Sequence, residues 1–253
     1  MTRLDLNADM GEAFGVYSFG EDLALLESVT SASIACGFHA GDFTVMERTV
    51  RAAHERGVRI GAHPGYPDRY GFGRRPQVYS PAELCAMIVY QVGALDAIAR
   101  FCATRLEYIK LHGALYHAVS YHEAPARAVL DGVRRAFPGV AFVAPCNSPF
   151  LQWAQEMGCE TEAEWFADRQ IEADGSLTPR TQADAMIANV KAAVTRIVRA
   201  TREGVMVART GEAVAVRGET VCVHGDGPGA AVMARELRAG LEAAGVRVAA
   251  PAR

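Results

Sequence analysis

The chain has 253 residues, half of them hydrophobic, and a formal net charge of −3. It therefore carries enough apolar material for one large core, while its Lys/Arg residues cluster no further than local pairs such as Arg74–Arg75, which excludes the basic face of a nucleic-acid binder. Charges interrupt the apolar stretches before the ~20 residues needed to span a bilayer, and the start, MTRLDLNADMGE, lacks an apolar signal region, so the expected location is cytoplasmic.

In chain order, β-rich runs fall at residues 4–7, 33–36, 59–62, 108–111, 140–144, 214–216 and 221–224, with a further one at 246–249. Between them, residues 44–56, 81–103, 124–137, 182–202 and 230–244 place apolar side chains near i, i+3, i+4 and i+7, the period of an amphipathic helix. Ser80 followed by Pro81 reads as an N-cap and first helical position, and Asp131 with Arg135 as an i,i+4 pair. Strand–helix alternation predicts a parallel sheet with right-handed crossovers. The alternation alone does not separate a closed barrel from an open doubly wound sheet. With no linker and no internal repeat, residues 1–253 read as a single domain. The stretch 63–76, rich in Gly, Pro and Arg but also aromatic, reads as an ordered functional loop. Its residues 70–76 are a candidate lid or docking surface.

The six cysteines sit singly, without C-x-x-C spacing, which favours reduced core thiols. Cys36, beside Gly37 and near His39, is the candidate for a nucleophilic thiol.

Polar residues collect where the strands end. Asn7, Asp9 and Glu12 follow the first strand; His39 and Asp42 follow the second; His63 and Asp68 the third; Lys110, His112 and Tyr116 the fourth; His224 and Asp226 a late one. Parallel α/β folds bind ligands outside the carboxyl ends of their strands, and four of the seven histidines fall there. Each position also has a structural reading. Asp42 suits the N-cap of the helix at 44–56, a histidine beside glycine can satisfy a tight turn, and Lys110 needs a carboxylate if buried. Glycines flank these residues, and the HGDGPG stretch ahead of a helix forms a nest suited to a carboxylate or phosphate. Neither a Walker A loop nor a G-x-G-x-x-G after the first strand is present.

Taken together, DLNADMGE, SIACGFHAGD, GAHPGYPDRYGFGRR, YQVGAL, IKLHGALY, WFADRQIEADGSLTPR and VCVHGDGPGA closely resemble, in order and from end to end, the 5-oxoprolinase A-subunit family, also called the LamB/YcsF or lactam-utilisation family. The resemblance implies a distorted (β/α) TIM-like barrel of the glycoside hydrolase/deacetylase type. It further implies one component of a three-subunit enzyme, with 5-oxoprolinase subunits B and C as partners, that opens 5-oxo-L-proline to L-glutamate with ATP as co-substrate. Lactam hydrolysis needs donors at the developing oxyanion, a base for water and an anchor for the substrate carboxylate. Lys110 and His112 are candidates for the first role and Asp9 or His63 for the second. The nest at 225–229 or Arg169 is the candidate anchor. Asn7, Glu12, His39, Asp42, Tyr116, His224, Asp226 and Gly227 complete the candidate substrate-binding set. The chain departs from the family pattern at Leu111, where proline is usual, and at His117 and Ser33, where asparagine is usual. With Lys110, His112, Gly113 and Tyr116 retained, the chemistry is expected to survive, and any effect to fall on substrate preference or partner fit.

Two other readings fit the same residues. His39, His63, His112 and His224, with Asp5, Asp9 or Asp226, supply nitrogen and oxygen ligands for Zn²⁺ or Mn²⁺ in a stand-alone metal-dependent amidohydrolase or deacetylase, although no H-E-x-x-H is present. A non-catalytic subunit that binds substrate for a partner is the other.

Overall fold

Polar and apolar side chains alternate along the first strand, β1 (Arg3–Met10). A strand turns successive side chains to opposite faces. Leu4, Leu6, Ala8 and Met10 accordingly join the main apolar core, while Asp5, Asn7 and Asp9, equally buried, meet partners from other strands. The sheet thus has a dry outer face under the helices and a polar inner one.

The computed structural model describes residues 2–252 apart from 19 and 226–228. After β1 come α1 (Asp22–Leu26), β2 (Ser31–Ala35), α2 (Phe43–Glu55), β3 (Arg59–His63), α3 (Pro81–Phe101), β4 (Tyr108–Lys110), α4 (Gly113–Tyr121) and α5 (Glu123–Ala136). The second half contains β5 (Ala141–Pro145), α6 (Phe150–Glu156), β6 (Thr161–Phe166), α7 (Val190–Glu203), β7 (Val205–Val207), β8 (Ala213–Ala215), β9 (Thr220–Val223), α8 (Ala230–Ala243) and β10 (Arg247–Val248). Strands β1-β2-β3-β4-β5-β6-β9 pair in that order, all parallel, and β9 pairs back to β1. The result is a closed seven-stranded barrel, the TIM-like class that the family resemblance implied and that strand–helix alternation had left open. The short β10 extends the sheet at Arg3 and Leu4, and β7 with β8 forms an antiparallel hairpin apart from it.

Local chemistry sets the helix boundaries. Asp42 caps α2 by accepting from the Thr44 and Val45 N–H groups, and Ser80 with Glu83 forms a capping box on α3 with Pro81 in the first turn. The helix expected from residue 182 begins instead at Val190, capped by Asn189. Residues 182–189 are diverted because their backbone bonds back to the segment after β6, with Ala185 O accepting from Gln170 and Ile187 N–H donating to Asp168. Helix α3 corrects one expectation: by length and composition it is apolar enough to cross a membrane. Here Leu84, Ile88, Val92, Leu95 and Ala99 form a buried stripe along it.

The expected strand at 214–216 lies in the β7–β8 hairpin and outside the barrel. The barrel strand that sequence reading passes over is β6, whose Glu162 and Glu164 face inward. At the lower end of the interior, Arg59 of β3 reaches across to Glu162 of β6 with bonds of 2.9 and 2.6 Å, and lies over the Tyr108 ring. Gly61 has no side chain because the Tyr108 ring occupies that space. Asp5 accepts from Thr30, Ser31 and Thr220 at 2.6–2.7 Å. Removing one partner of a buried ion pair leaves the other charge uncompensated. Glu162→Ala is therefore expected to cost ~3–5 kcal/mol in urea unfolding, and an apolar replacement of both Arg59 and Glu162 to recover most of it. A Glu162→Ala loss under ~1 kcal/mol would show that this pair does not hold the barrel's lower end.

Candidate active site

Lys110, the last residue of β4, carries its ammonium into the upper interior of the barrel, where it is almost fully buried. It donates to Asn7 Oδ1 at 2.8 Å, Glu164 Oε1 at 2.9 Å and Cys222 Sγ at 3.0 Å. Asp9 Oδ1 is also 2.8 Å away as an ion pair. Burial alone would lower the Lys110 pKa; the Asp9 carboxylate, with Cys222 and Glu164 behind it, outweighs burial and raises it well above the usual value. Glu164 is itself held by Asn7 Nδ2 at 3.0 Å and by the Tyr116 hydroxyl at 2.6 Å. Burial resists ionisation of Asp9, but His63 and Lys110 beside it hold its carboxyl well below the usual range.

Above this floor lies a tier of histidines. His63 Nδ1 is 2.7 Å from the Lys110 carbonyl oxygen and His112 Nε2 is 2.7 Å from that of Phe72. Carbonyl oxygens only accept, so each of these nitrogens carries its hydrogen. The remaining nitrogens, His63 Nε2 and His112 Nδ1, face each other at 2.9 Å. His39 stacks flat on His112 with centroids 3.7 Å apart, and its Nε2 is 3.3 Å from Glu12 Oε1. The same Glu12 oxygen is 3.9 Å from His112 Nδ1, and Asp9 Oδ2 is 3.4 Å from His63 Nε2. Burial, followed by the neighbouring imidazoles, lowers the pKa of both His39 and His112 well below the usual value, which keeps them neutral. Glu12, His39, His63 and His112 together can hold a metal ion, their donor atoms lying within 4.8 Å of one another. Asp9, Cys222 and His224 form a second such group. Burial pushes the Cys222 thiol well up, and its sulfur already accepts from Lys110.

The loop after β3 walls the tier. Its Phe72 ring meets the edges of His39 and His112. Gly73 is required next, since its backbone has φ +62 and a Cβ there would lie 2.8 Å from His39 and 2.9 Å from His112. Asp68 ties the loop by accepting from the Gly71 N–H and from Arg75 Nε at 2.9 and 2.8 Å. The Arg75 hydrogen bonds hold the Asp68 carboxyl at about 2. A depressed carboxyl pKa stabilises above its unfolded value, ~3.9, and the effect is lost as pH falls through the folded value. Hydrogen exchange of residues 68–76, corrected for intrinsic rates, is therefore expected to rise between about pH 4 and pH 2. Asp68→Asn should show the faster exchange already at pH 7. Protection of this loop that is independent of pH in both proteins would rule out Asp68 as its tie.

The structure brings together Asn7, Asp9, Glu12, His39, His63, Lys110, His112 and Tyr116. His224 lies at the edge of the group, where Nδ1 sits 2.8 Å from Asp168 and its ring stacks on Phe166. Arg169 is buried and donates to the Thr178 carbonyl at 2.5 Å, with Asp168 and Cys222 near enough to act on its charge. Asp42 has its carboxylate taken up by the backbone N–H groups of Gly15, Thr44 and Val45. Asp226 and Gly227 lie outside the described residues. Cys36, weighed as a nucleophile, is a buried thiol pushed up to about 12. Sequence reading missed Glu164, Asp168 and Cys222 as members of the site. The alternation of Thr161, Ala163 and Trp165 with Glu162 and Glu164 was the available signal for a strand with an acidic inner face. Leu111 packs in the apolar core, His117 is exposed beside Tyr121, and Ser33 bonds Tyr108 at 3.0 Å. Those three departures thus lie outside the polar tier.

A closed parallel barrel with ionisable groups gathered at the carboxyl ends of its strands defines the class of protein, a TIM-like barrel. The polysaccharide deacetylase Bc1974 from Bacillus cereus shares this fold with a TM-score of 0.51 at 11% identity, over 100% of this chain and 93% of that one. Within the class, the chain belongs to the LamB/YcsF family, whose family model matches residues 4–253. It is 44% identical to the A subunit of the 5-oxoprolinase of Bacillus subtilis (strain 168) over 250 residues, covering 99% of this chain and 97% of that protein. The crystal structure of the lactam utilization protein from Thermus thermophilus superposes with a TM-score of 0.93 at 38% identity, covering 99% and 100% of the two chains.

Proposed function

We propose that this chain is the A subunit of an ATP-dependent 5-oxoprolinase and contributes the pocket in which 5-oxo-L-proline is opened to L-glutamate. The observation that carries this reading is kinship along the whole chain with proteins named as the A subunit of 5-oxoprolinase, and the pocket chemistry agrees with it. Opening the ring adds water to the lactam carbonyl carbon, breaks the carbon–nitrogen bond and leaves a proton on the nitrogen. Asp9 is the acceptor for the water proton: its carboxylate is held ionised, with Oδ1 against Lys110 and Oδ2 turned toward His63. Lys110 holds that charge in place. Because Lys110 is encircled by Asn7, Asp9, Glu164 and Cys222, it sets the electrostatics of Asp9 rather than reaching the substrate. A carboxylate whose pKa is held this low is a weak base. Such a site therefore needs an electrophile activated elsewhere, which is the part assigned to ATP cleavage in subunits B and C. Glu12 and His39, paired beside Asp9, and Tyr116, bonded to Glu164, are the further polar side chains of the group.

The test is glutamate formation from 5-oxo-L-proline and ATP by this chain alone and together with subunits B and C. Glutamate is expected in the mixture only. No glutamate from a mixture whose B and C work with the Bacillus subtilis relative would overturn the reading. In the active mixture, Asp9→Asn is expected to lower turnover by about 10²–10⁴-fold while assembly and substrate binding persist. Unchanged turnover would remove Asp9 as the base and point to a chain that binds substrate without acting on it.

A further inference from the structure

The two facing imidazole nitrogens pose an electrostatic problem. The hydrogens of His63 Nδ1 and His112 Nε2 are committed to the carbonyl oxygens of Lys110 and Phe72. His63 Nε2 and His112 Nδ1 then turn toward each other at 2.9 Å, a gap with room for one hydrogen at most. The pair is satisfied when one cation, a proton or a metal ion, lies between the two nitrogens. Two nitrogens each about 2.1 Å from a metal ion are about 3.0 Å apart at the right angle of octahedral coordination and about 3.4 Å apart at the tetrahedral angle of zinc. The separation here is close to the octahedral value, and zinc would need the rings to part slightly. A carboxylate stands beside them, with Glu12 Oε1 3.9 Å from His112 Nδ1.

We propose that Glu12, His63 and His112 bind one divalent transition-metal ion, with His39 holding the Glu12 carboxylate in place. Two imidazoles and a carboxylate form a donor set of intermediate softness, suited to Zn²⁺, Mn²⁺, Fe²⁺ or Co²⁺. Both imidazoles already have the outer N–H bonded to a carbonyl, the arrangement that fixes the tautomer and orientation of a ligating histidine. His39 takes a different part. Its Nδ1 is buried without a partner among the described residues. Were Nε2 to ligate the ion, the hydrogen would move to Nδ1 and become a buried donor with no acceptor, at a cost of about 1–3 kcal/mol. With the hydrogen on Nε2, His39 donates to Glu12 and only a lone pair is left unpaired. The second donor group is set aside because the Cys222 sulfur is already engaged by Lys110. An ion held by the first group lies beside the Asp9 carboxylate and supplies Lewis-acid polarisation of a substrate carbonyl. Ion binding by these residues stands whether or not a lactam is the substrate.

The test is titration of the chelator-stripped, full-length chain with Zn²⁺ by calorimetry and with Co²⁺ by visible absorption. One equivalent is expected, with a Co²⁺ spectrum that shows nitrogen ligation. Glu12→Gln, His63→Gln and His112→Gln should each lose stoichiometric binding. His39→Gln should keep one equivalent while its affinity falls about 10–100-fold, as for a residue that orients a ligand. Should a variant fail to fold, X-ray absorption at the metal bound to the unaltered chain, which counts its imidazole and carboxylate ligands, reads the same contact. Absence of a bound equivalent overturns the proposal, as does a Co²⁺ spectrum unchanged in His112→Gln and Glu12→Gln. A nitrogen NMR signature of one proton shared by the two imidazoles at saturating Zn²⁺ would assign the cation as a proton instead.

Discussion

A lysine ammonium inside a closed barrel has to be neutralised by the strands that close around it, and much of the upper interior follows from that requirement. Lys110 draws Asn7 and Asp9 from β1, Glu164 from β6 and Cys222 from β9 to one point. Burying an ion costs several kcal/mol unless partners surround it, so a strand out of register would leave the charge stranded. The same register places Thr220 against Asp5 and Asn7, linking the upper tier to the lower. The interior is thus held by complementary polar groups, while apolar burial under the helices supplies the non-directional part of the stability.

The charge at the floor shapes what stands above it. Asp9 stays ionised because Lys110 and His63 flank it, whereas burial leaves His39 and His112 neutral. Anionic oxygen and neutral imidazole nitrogen then share one pocket, an arrangement suited to electrophiles and cations. The loop after β3 completes it from the side. The backbone carbonyl of Phe72 sets the His112 tautomer, and the absence of a side chain at Gly73 lets the loop approach both rings. Asp68 and Arg75 keep that loop in position from the outer surface.

Much of this was legible along the chain. DLNADM alternates, CGFHAGD and AHPGYPD end strands, and the Ser80–Pro81 boundary of α3 follows from capping chemistry. Other features were hidden for physical reasons. Strand β6 carries two glutamates that look solvated until the barrel closes over them. The segment at 182–189 has helical period, yet its backbone is taken by residues 168 and 170. Asp42 lies in a motif rich in polar residues, but the free N–H groups of α2 claim its oxygens.

Local pattern by itself determined the alternation of strand and helix, the placing of polar residues at strand ends and, through its motifs, the family. Those features depend on neighbours a few residues apart, where period and capping operate. Tertiary structure alone decided that the sheet closes, that Glu164 joins the group around Lys110 and Arg169 bonds Thr178, and that the second nitrogens of two imidazoles face each other. Each of these depends on groups far apart in sequence, such as Lys110 and Asn7, 103 residues apart, or Lys110 and Cys222, 112 apart. Burial and hydrogen bonding select such partners only once the strands that carry them lie side by side.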